Sequence, residues 1–179
     1  MKDKLRAIIP EFDLIKDSSL REKTLDAYVI ALTEGGWNPE DIPKLPFTLL
    51  IDPCPASMLD HIRGVTKTAI AIANALREAH PNKPKIHADS DKLISAALLH
   101  DIGKFIEYES KDGKTVVSGS GKLLRHPLSG MGIAYRAGLP EEICHAIAYH
   151  SHEGDGKRST IESIIINHAD FLNFEPMKL

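Results

Sequence analysis

The chain has 179 residues, 42% of them hydrophobic and 26% charged, enough length for a real core and an ordinary globular balance. Lys and Arg number 22 against 25 Asp and Glu, and the net charge of −3 excludes a global nucleic-acid footprint, which needs a basic stripe or excess. No apolar run is long enough to span a bilayer, and Pro10, Glu11 and Asp13 interrupt any signal peptide, so a cytoplasmic protein with no membrane partner is expected. The two cysteines, Cys54 and Cys144, lie far apart without a CxxC pair, which argues against a zinc knuckle or a disulfide framework. The 9 histidines are a mild metal signal.

In chain order, residues 1–17 carry a short helical piece before Pro10. Ser19-Leu20-Arg21-Glu22 reads as a capping box, and Leu25, Tyr28, Val29 and Leu32 recur at helical spacing until Gly35-Gly36 stops the helix. Five prolines between Trp37 and Pro55 exclude a long helix, and Phe47 to Ile51 is expected to pack as an extended cover. Ser57 opens a helix whose apolar face holds Ile62, Val65, Ala69, Ile72, Ala73 and Leu76, with Asp60 suiting the positive end of its dipole. Asp89 or Ser90 caps the next helix, whose apolar run Ile94 to Leu99 leads into His100-Asp101-Ile102-Gly103-Lys104. Phe105–Tyr108 and Thr115–Val117, flanking Lys111-Asp112-Gly113, predict a small β-hairpin, followed by a flexible Ser118–Gly121. His126-Pro127 begins a helix that Gly138 closes. Pro140-Glu141-Glu142 starts another that runs to about His150. A second capping box, Ser159-Thr160-Ile161-Glu162, leads through Ile164–Ile166 to Asp170. The pattern is all-α, a helical bundle with one small β-hairpin insertion. It is read as one domain over residues 1–179, with residues 1–56 as an N-terminal helix and Pro-rich cover and 57–173 as the core.

The His100-Asp101 pair is the centre of the functional reading. A carboxylate at the end of a buried helix needs a counter-charge, and a divalent cation supplies one. Helical phase turns His61, His100, His150 and Asp170 towards the apolar side of their helices, each at a helix beginning or end, and Asp101 is rotated about 100° from His100. Together with His126 they make four His and two Asp, an inventory for one or two divalent transition ions, Fe, Mn, Co, Ni or Zn. Asp101 is the residue expected to bridge two ions. Such a pair activates water and clamps a phosphoryl oxygen. Lys104 is the candidate cation for phosphoryl charge, with Arg63, Lys122 and Arg125 as weaker candidates of the same kind. His80, His87, His145 and His168 are left as structural or surface residues.

His61…His100-Asp101…Asp170 resembles the H…HD…D signature of the HD-domain metal-dependent phosphohydrolase superfamily, over roughly Ser57 to Asn173. The resemblance implies a bundle of five or more helices with His61, His100, Asp101 and Asp170 on one metal. His126-Pro127…Gly130 and a His near 150 are similar to the extra ligands of dinuclear members, including the HD-GYP cyclic-dinucleotide phosphodiesterases, and Lys104 resembles that branch's lysine near metals and substrate. That branch's adjacent His-His-Glu is here His150-Ser151-His152-Glu153, which leaves His152 open beside His150, and its Gly-Tyr-Pro is only partly echoed by Asp155–Arg158. The expected activity is hydrolysis of a nucleotide or other small phosphoester with a metal-activated water, Asp101 and Lys104 acting catalytically and Lys104, Arg63 and Arg125 binding phosphate. Two other readings share the ligand inventory: a di-iron oxygenase resembling inositol oxygenase, and a non-catalytic metal- or nucleotide-binding signalling module.

Overall fold

The structure is a computed structural model that describes all residues from Met1 to Leu179. Helix α1 (Lys2–Ile8) and a 3-10 turn at Pro10–Leu14 precede α2 (Ser18–Gly35). The capping expected at Ser19 falls instead on Asp17, whose carboxylate accepts the backbone N–H groups of Ser19 and Leu20. A carboxylate reaches the same orphan donors as a hydroxyl and adds the charge favoured at a helix start. Gly36, at φ 73°, closes the helix in the left-handed conformation.

The proline-rich stretch has no long helix. It is pinned by a bridge between Pro46 and Ser57 and by the Met58 N–H on the Leu45 carbonyl (2.7 Å). Within it Phe47 and Thr48 are buried and Leu49 packs against the core, whereas Leu50 is 82% exposed, so the expected cover is docked along Phe47–Leu49.

Helix α3 (Met58–Ala79) starts with a reciprocal box, Ser57 Oγ accepting from the Asp60 N–H and Asp60 Oδ2 from the Ser57 N–H. Helix α4 (Ser90–Leu99) is capped by Asp89 and ends at His100. A one-turn helix α5 (Lys104–Glu107) follows, then β1 (Tyr108–Lys111) and β2 (Lys114–Val117), antiparallel, with Tyr108 opposite Val117. Phe105–Glu107 was expected to be strand. The apolar run is too short for period to separate a helical turn from a strand, and the helical turn wins because Glu107 N–H reaches back to the Gly103 carbonyl (2.9 Å). Asp112 (φ 51°) and Gly113 (φ 74°) form the hairpin turn with both residues left-handed, as Asp-Gly allows. Ser118–Gly121, expected to be flexible, is held down: Ser118 Oγ donates to the Ile106 carbonyl and accepts the Gly121 N–H.

The remaining helices are α6 (His126–Arg136), α7 (Glu141–Ala148) and α8 (Ile161–Phe174). Helix α7 stops two residues before His150. The second capping box uses Thr160 with Ser163, one register later than expected, because Glu162 is instead drawn to the Asp89 N–H of α4's cap. Asp170 lies in the body of α8, not at its end, and the helix runs on to Phe174.

Helix α3 packs on α4 and α8, α7 packs on α4, α6 and α8, and α2 crosses α4, α5 and α6. One apolar cluster of 37 buried residues runs from Leu5 to Ala169 and places the N-terminal segment and the later helices in the same core. No helix is long and apolar enough to cross a membrane.

Candidate metal centre

Four elements and one loop meet at the end of α4. Helix α3 brings His61 in its first turn, the end of α4 brings His100 and Asp101, and the first residue of α6 brings His126. The residue two beyond α7 is His150, and α8 supplies Asp170. His100 and His150 are essentially inaccessible, and Asp101 retains 2% exposure. His61 Nε2 and His100 Nε2 each lie 3.3 Å from Asp101 Oδ2, while His126 Nε2 and His150 Nε2 lie 3.3 and 3.7 Å from Asp101 Oδ1. Asp170 Oδ1 stands 3.1 Å from His61 Nε2 and 3.9 Å from His100 Nε2. The ligand-type atoms therefore fall into two triads, His61-His100-Asp101 and Asp101-His126-His150, that share one carboxylate, a different oxygen of which faces each triad.

The hydrogen bonds on the far side of the rings set what the near side can do. His100 Nδ1 donates to the Ala97 carbonyl (2.7 Å), His150 Nδ1 to the Ile147 carbonyl (2.7 Å) and His126 Nδ1 to Glu107 Oε2 (2.9 Å). Each neutral ring then carries a bare lone pair on Nε2. Yet His126 Nε2 and His150 Nε2 are 3.2 Å apart, as are His61 Nε2 and His100 Nε2. With both rings of the first pair neutral, two lone pairs face each other beside a carboxylate. Two ligands at about 2.1 Å from an ion and at right angles to one another stand about 3.0 Å apart. The donor set thus fits a divalent cation in each triad. His61 differs from the other three: its Nδ1 is buried without a partner, and its ring stacks on Phe47 (4.6 Å between centroids).

Burial by itself would raise the Asp101 carboxyl. The Lys104 ammonium and the His100 and His61 rings hold it well below the ordinary carboxylate range. Asp170 is likewise raised by burial and brought down, to about 2, by its His61 hydrogen bond and the neighbouring imidazoles. His150 is pushed to about 3, chiefly by burial and then by His126 and His100. The centre is built to keep carboxylates charged and this imidazole neutral, the states in which both bind metal.

Lys104 is buried, its Nζ donating to Asp101 Oδ2 (2.7 Å) and to the Phe47 carbonyl (2.6 Å). Burial alone would lower its ammonium, but Asp101 keeps it raised. It ties the proline-rich cover to the centre.

A cavity of about 460 Å³ opens onto the cluster. Its floor includes His61, Asp101, Lys104 and Asp170, its cationic rim Arg125 and Lys178, and its apolar wall Leu49, Phe171 and Phe174. Arg125 is 58% exposed, with Glu107 and Glu153 no closer than 3.9 Å. Arg63 does not line the cavity. Two residues after the inward His61 the helix has turned through about 200°, and the guanidinium pairs with Glu11 (2.7 Å). Lys122 is also outside it. His152, the alternative to His150, is 79% exposed at the cavity mouth, its ring edge-on to Phe171 and its Nδ1 3.4 Å from Asp155, while His150 faces Asp101.

Sequence reasoning passed over two participants. Glu107, holding His126, sat in a run read as strand. Phe47 contributes a backbone carbonyl and a ring face, and no residue-type pattern signals either role.

Compared with known proteins, residues 58–173 match the family model described as HD domain. A dihydroneopterin 2',3'-cyclic phosphate phosphodiesterase of Methanocaldococcus jannaschii is 27% identical over 181 residues, covering 93% of this chain and 67% of that protein. Ribonuclease Y of Desulforudis audaxviator is 33% identical over 89 residues, 50% of this chain but 15% of the ribonuclease. The corresponding enzyme of Chloroflexus aurantiacus is 38% identical over 99 residues, with 55% and 16% covered. The chain thus spans about two thirds of the first relative and only about a sixth of the ribonucleases. No solved structure matches it.

Proposed function

The chain belongs to the HD-domain family, and on that premise we propose that it is a metal-dependent phosphohydrolase acting on a small phosphodiester. The observation that carries this reading is the pair of triads sharing Asp101, with bare Nε2 lone pairs turned inward. His61, His100, Asp101 and Asp170 would hold one divalent ion, and Asp101, His126 and His150 would hold a second. When bound, the ions supply an activated water and neutralise charge on the phosphoryl oxygens.

The chain's own residues do the rest. Lys104 fixes Asp101 through Oδ2 and lines the cavity with one N–H left over for a phosphoryl oxygen that gathers charge during attack. Arg125 at the rim binds a non-reacting phosphate oxygen, and its weak pairing in the structure leaves it free to do so. Hydrolysis forms one P–O bond to water and breaks one P–O ester bond, and the leaving oxygen takes up a proton. Phe171 and Phe174 follow Asp170 by one and four residues on the same helix, so an apolar wall runs from the metal end to about 6 Å along the axis, about one turn. That spacing favours a phosphodiester bearing a planar ring, of the nucleotide or pterin kind. The archaeal relative's name, a phosphodiesterase of a 2',3'-cyclic phosphate, supports the same class.

The test is ³¹P NMR of metal-replete protein with cyclic nucleotides, linear phosphodiesters and phosphomonoesters. Turnover of a phosphodiester, lowered about 10³-fold in Asp101→Ala, is the expected result. No turnover of any member, or equal turnover by the variant, overturns the reading.

A further inference from the structure

Three carboxylates lie in the cavity wall, Asp101, Asp170 and Glu107, and only Glu107 stands outside the six-residue cluster. Its Oε2 accepts both the backbone N–H of His126 and the Nδ1–H of the same residue. One oxygen thereby fixes the start of α6 and the ring it carries. His100 and His150 need no such help, because each donates Nδ1–H to the carbonyl three residues back at the end of its own helix. His126 is the first residue of α6 and has no helical carbonyl behind it, so its acceptor must come from elsewhere.

Glu107 is in turn held by the hairpin. It is the residue before β1, and Ser118 is the residue after β2. The Ser118 N–H donates to the Glu107 carbonyl (2.8 Å), and Ser118 Oγ joins the Ile106 carbonyl to the Gly121 N–H. Gly121 is pressed against the same residue: a Cβ there would stand 2.5 Å from the Glu107 carbonyl oxygen and 2.9 Å from its Cα and Cγ. The strands thus close on Glu107 at their root.

We propose that Glu107 is a positioning residue for His126 and that closure of the β-hairpin sets it. The insertion then makes the His126/His150 side of the centre competent, while the His61/Asp170 side forms without it. The inference rests on the two-triad reading above. A carboxylate on the far nitrogen of a ligating imidazole fixes its tautomer and raises its basicity, and losing such a partner weakens metal binding about 10- to 100-fold.

The experiment is calorimetric titration of chelator-stripped protein with Mn²⁺, for the wild type, Glu107→Gln and Gly121→Val, with circular dichroism and urea midpoints as folding controls. The wild type is expected to show two classes of site. Glu107→Gln, nearly isosteric, should weaken one class about 10- to 100-fold and leave the other unchanged. Gly121→Val should do the same through the backbone, without touching a ligand atom. If both variants fold and leave both classes unchanged, or weaken both equally, the positioning role is refuted. A wild type with fewer than two sites instead refutes the two-triad reading on which it rests.

Discussion

The Asp101–Lys104 pair sets a stability test that is independent of turnover. Both groups are buried, and Nζ stands 2.7 Å from Oδ2. Asp101→Asn removes the negative charge, keeps the shape, and leaves the ammonium with the Phe47 carbonyl and a neutral amide oxygen. Coulomb attraction at that distance is about 6 kcal/mol for an effective dielectric of 20. Relief of Asp101's repulsion with Asp170, together with relaxation, reduces the net effect, and breaking one side of a buried pair costs about 3–5 kcal/mol. For a chain of this size that is a fall in Tm of roughly 6–20 °C. The assay is urea unfolding with chelator present throughout, so that metal loss contributes nothing. Adding Lys104→Met to Asp101→Asn should recover most of the loss, less about 1 kcal/mol for the donor the Phe47 carbonyl forfeits. A loss under about 1 kcal/mol in Asp101→Asn, or a deeper loss in the double variant, would refute the assignment of Lys104's charge to Asp101.

Other consequences follow from the same geometry. The metal-free protein should lose stability as pH falls from about 6.5 to about 3, because unfolded His150 takes up a proton at its ordinary value that the folded chain accepts only near 3; His150→Asn should flatten that limb in urea midpoints measured across pH. His100 has the opposite sign: its raised folded value gives stability that is complete below about 6.5 and fades as pH rises from there through the higher folded value, so His100→Asn should remove a loss on the alkaline side. Arg125→Ala should raise KM for a phosphodiester with little change in kcat, a split that steady-state kinetics reads directly. Arg63→Ala should leave both constants unchanged, since its guanidinium is spent on Glu11 away from the cavity. Saturating metal at about 1,000 times its Kd should stabilise the protein by about 4 kcal/mol per site.

The helices were legible wherever the apolar period was long and a breaker stood at the end, as in α2 with Gly36 and α6 with Pro127 and Gly138. Their starts were less so. Asp17 and Ser19 are both good caps, as are Ser159 and Thr160, and the register was decided by tertiary partners such as Asp89 for Glu162. The inward phases of His61, His100 and Asp170 could be read from spacing, and the structure brings these side chains together with Asp101, His126 and His150. Arg63's outward direction is contained in the same helical phase, two residues from His61, whereas residue type alone suggests a phosphate ligand. Glu107 was hidden for a different reason: its role depends on a hairpin root and on the start of α6, which are 19 residues apart in sequence.

The central claim is tested most directly by the hydrolysis rate of a cyclic phosphodiester as Mn²⁺ is returned to chelator-stripped protein. The account expects no turnover without metal and a rise that levels at two bound ions per chain, with Asp101→Ala about 10³-fold slower at every ratio. Undiminished turnover in the stripped protein, or a plateau that Asp101→Ala reaches equally, would contradict it.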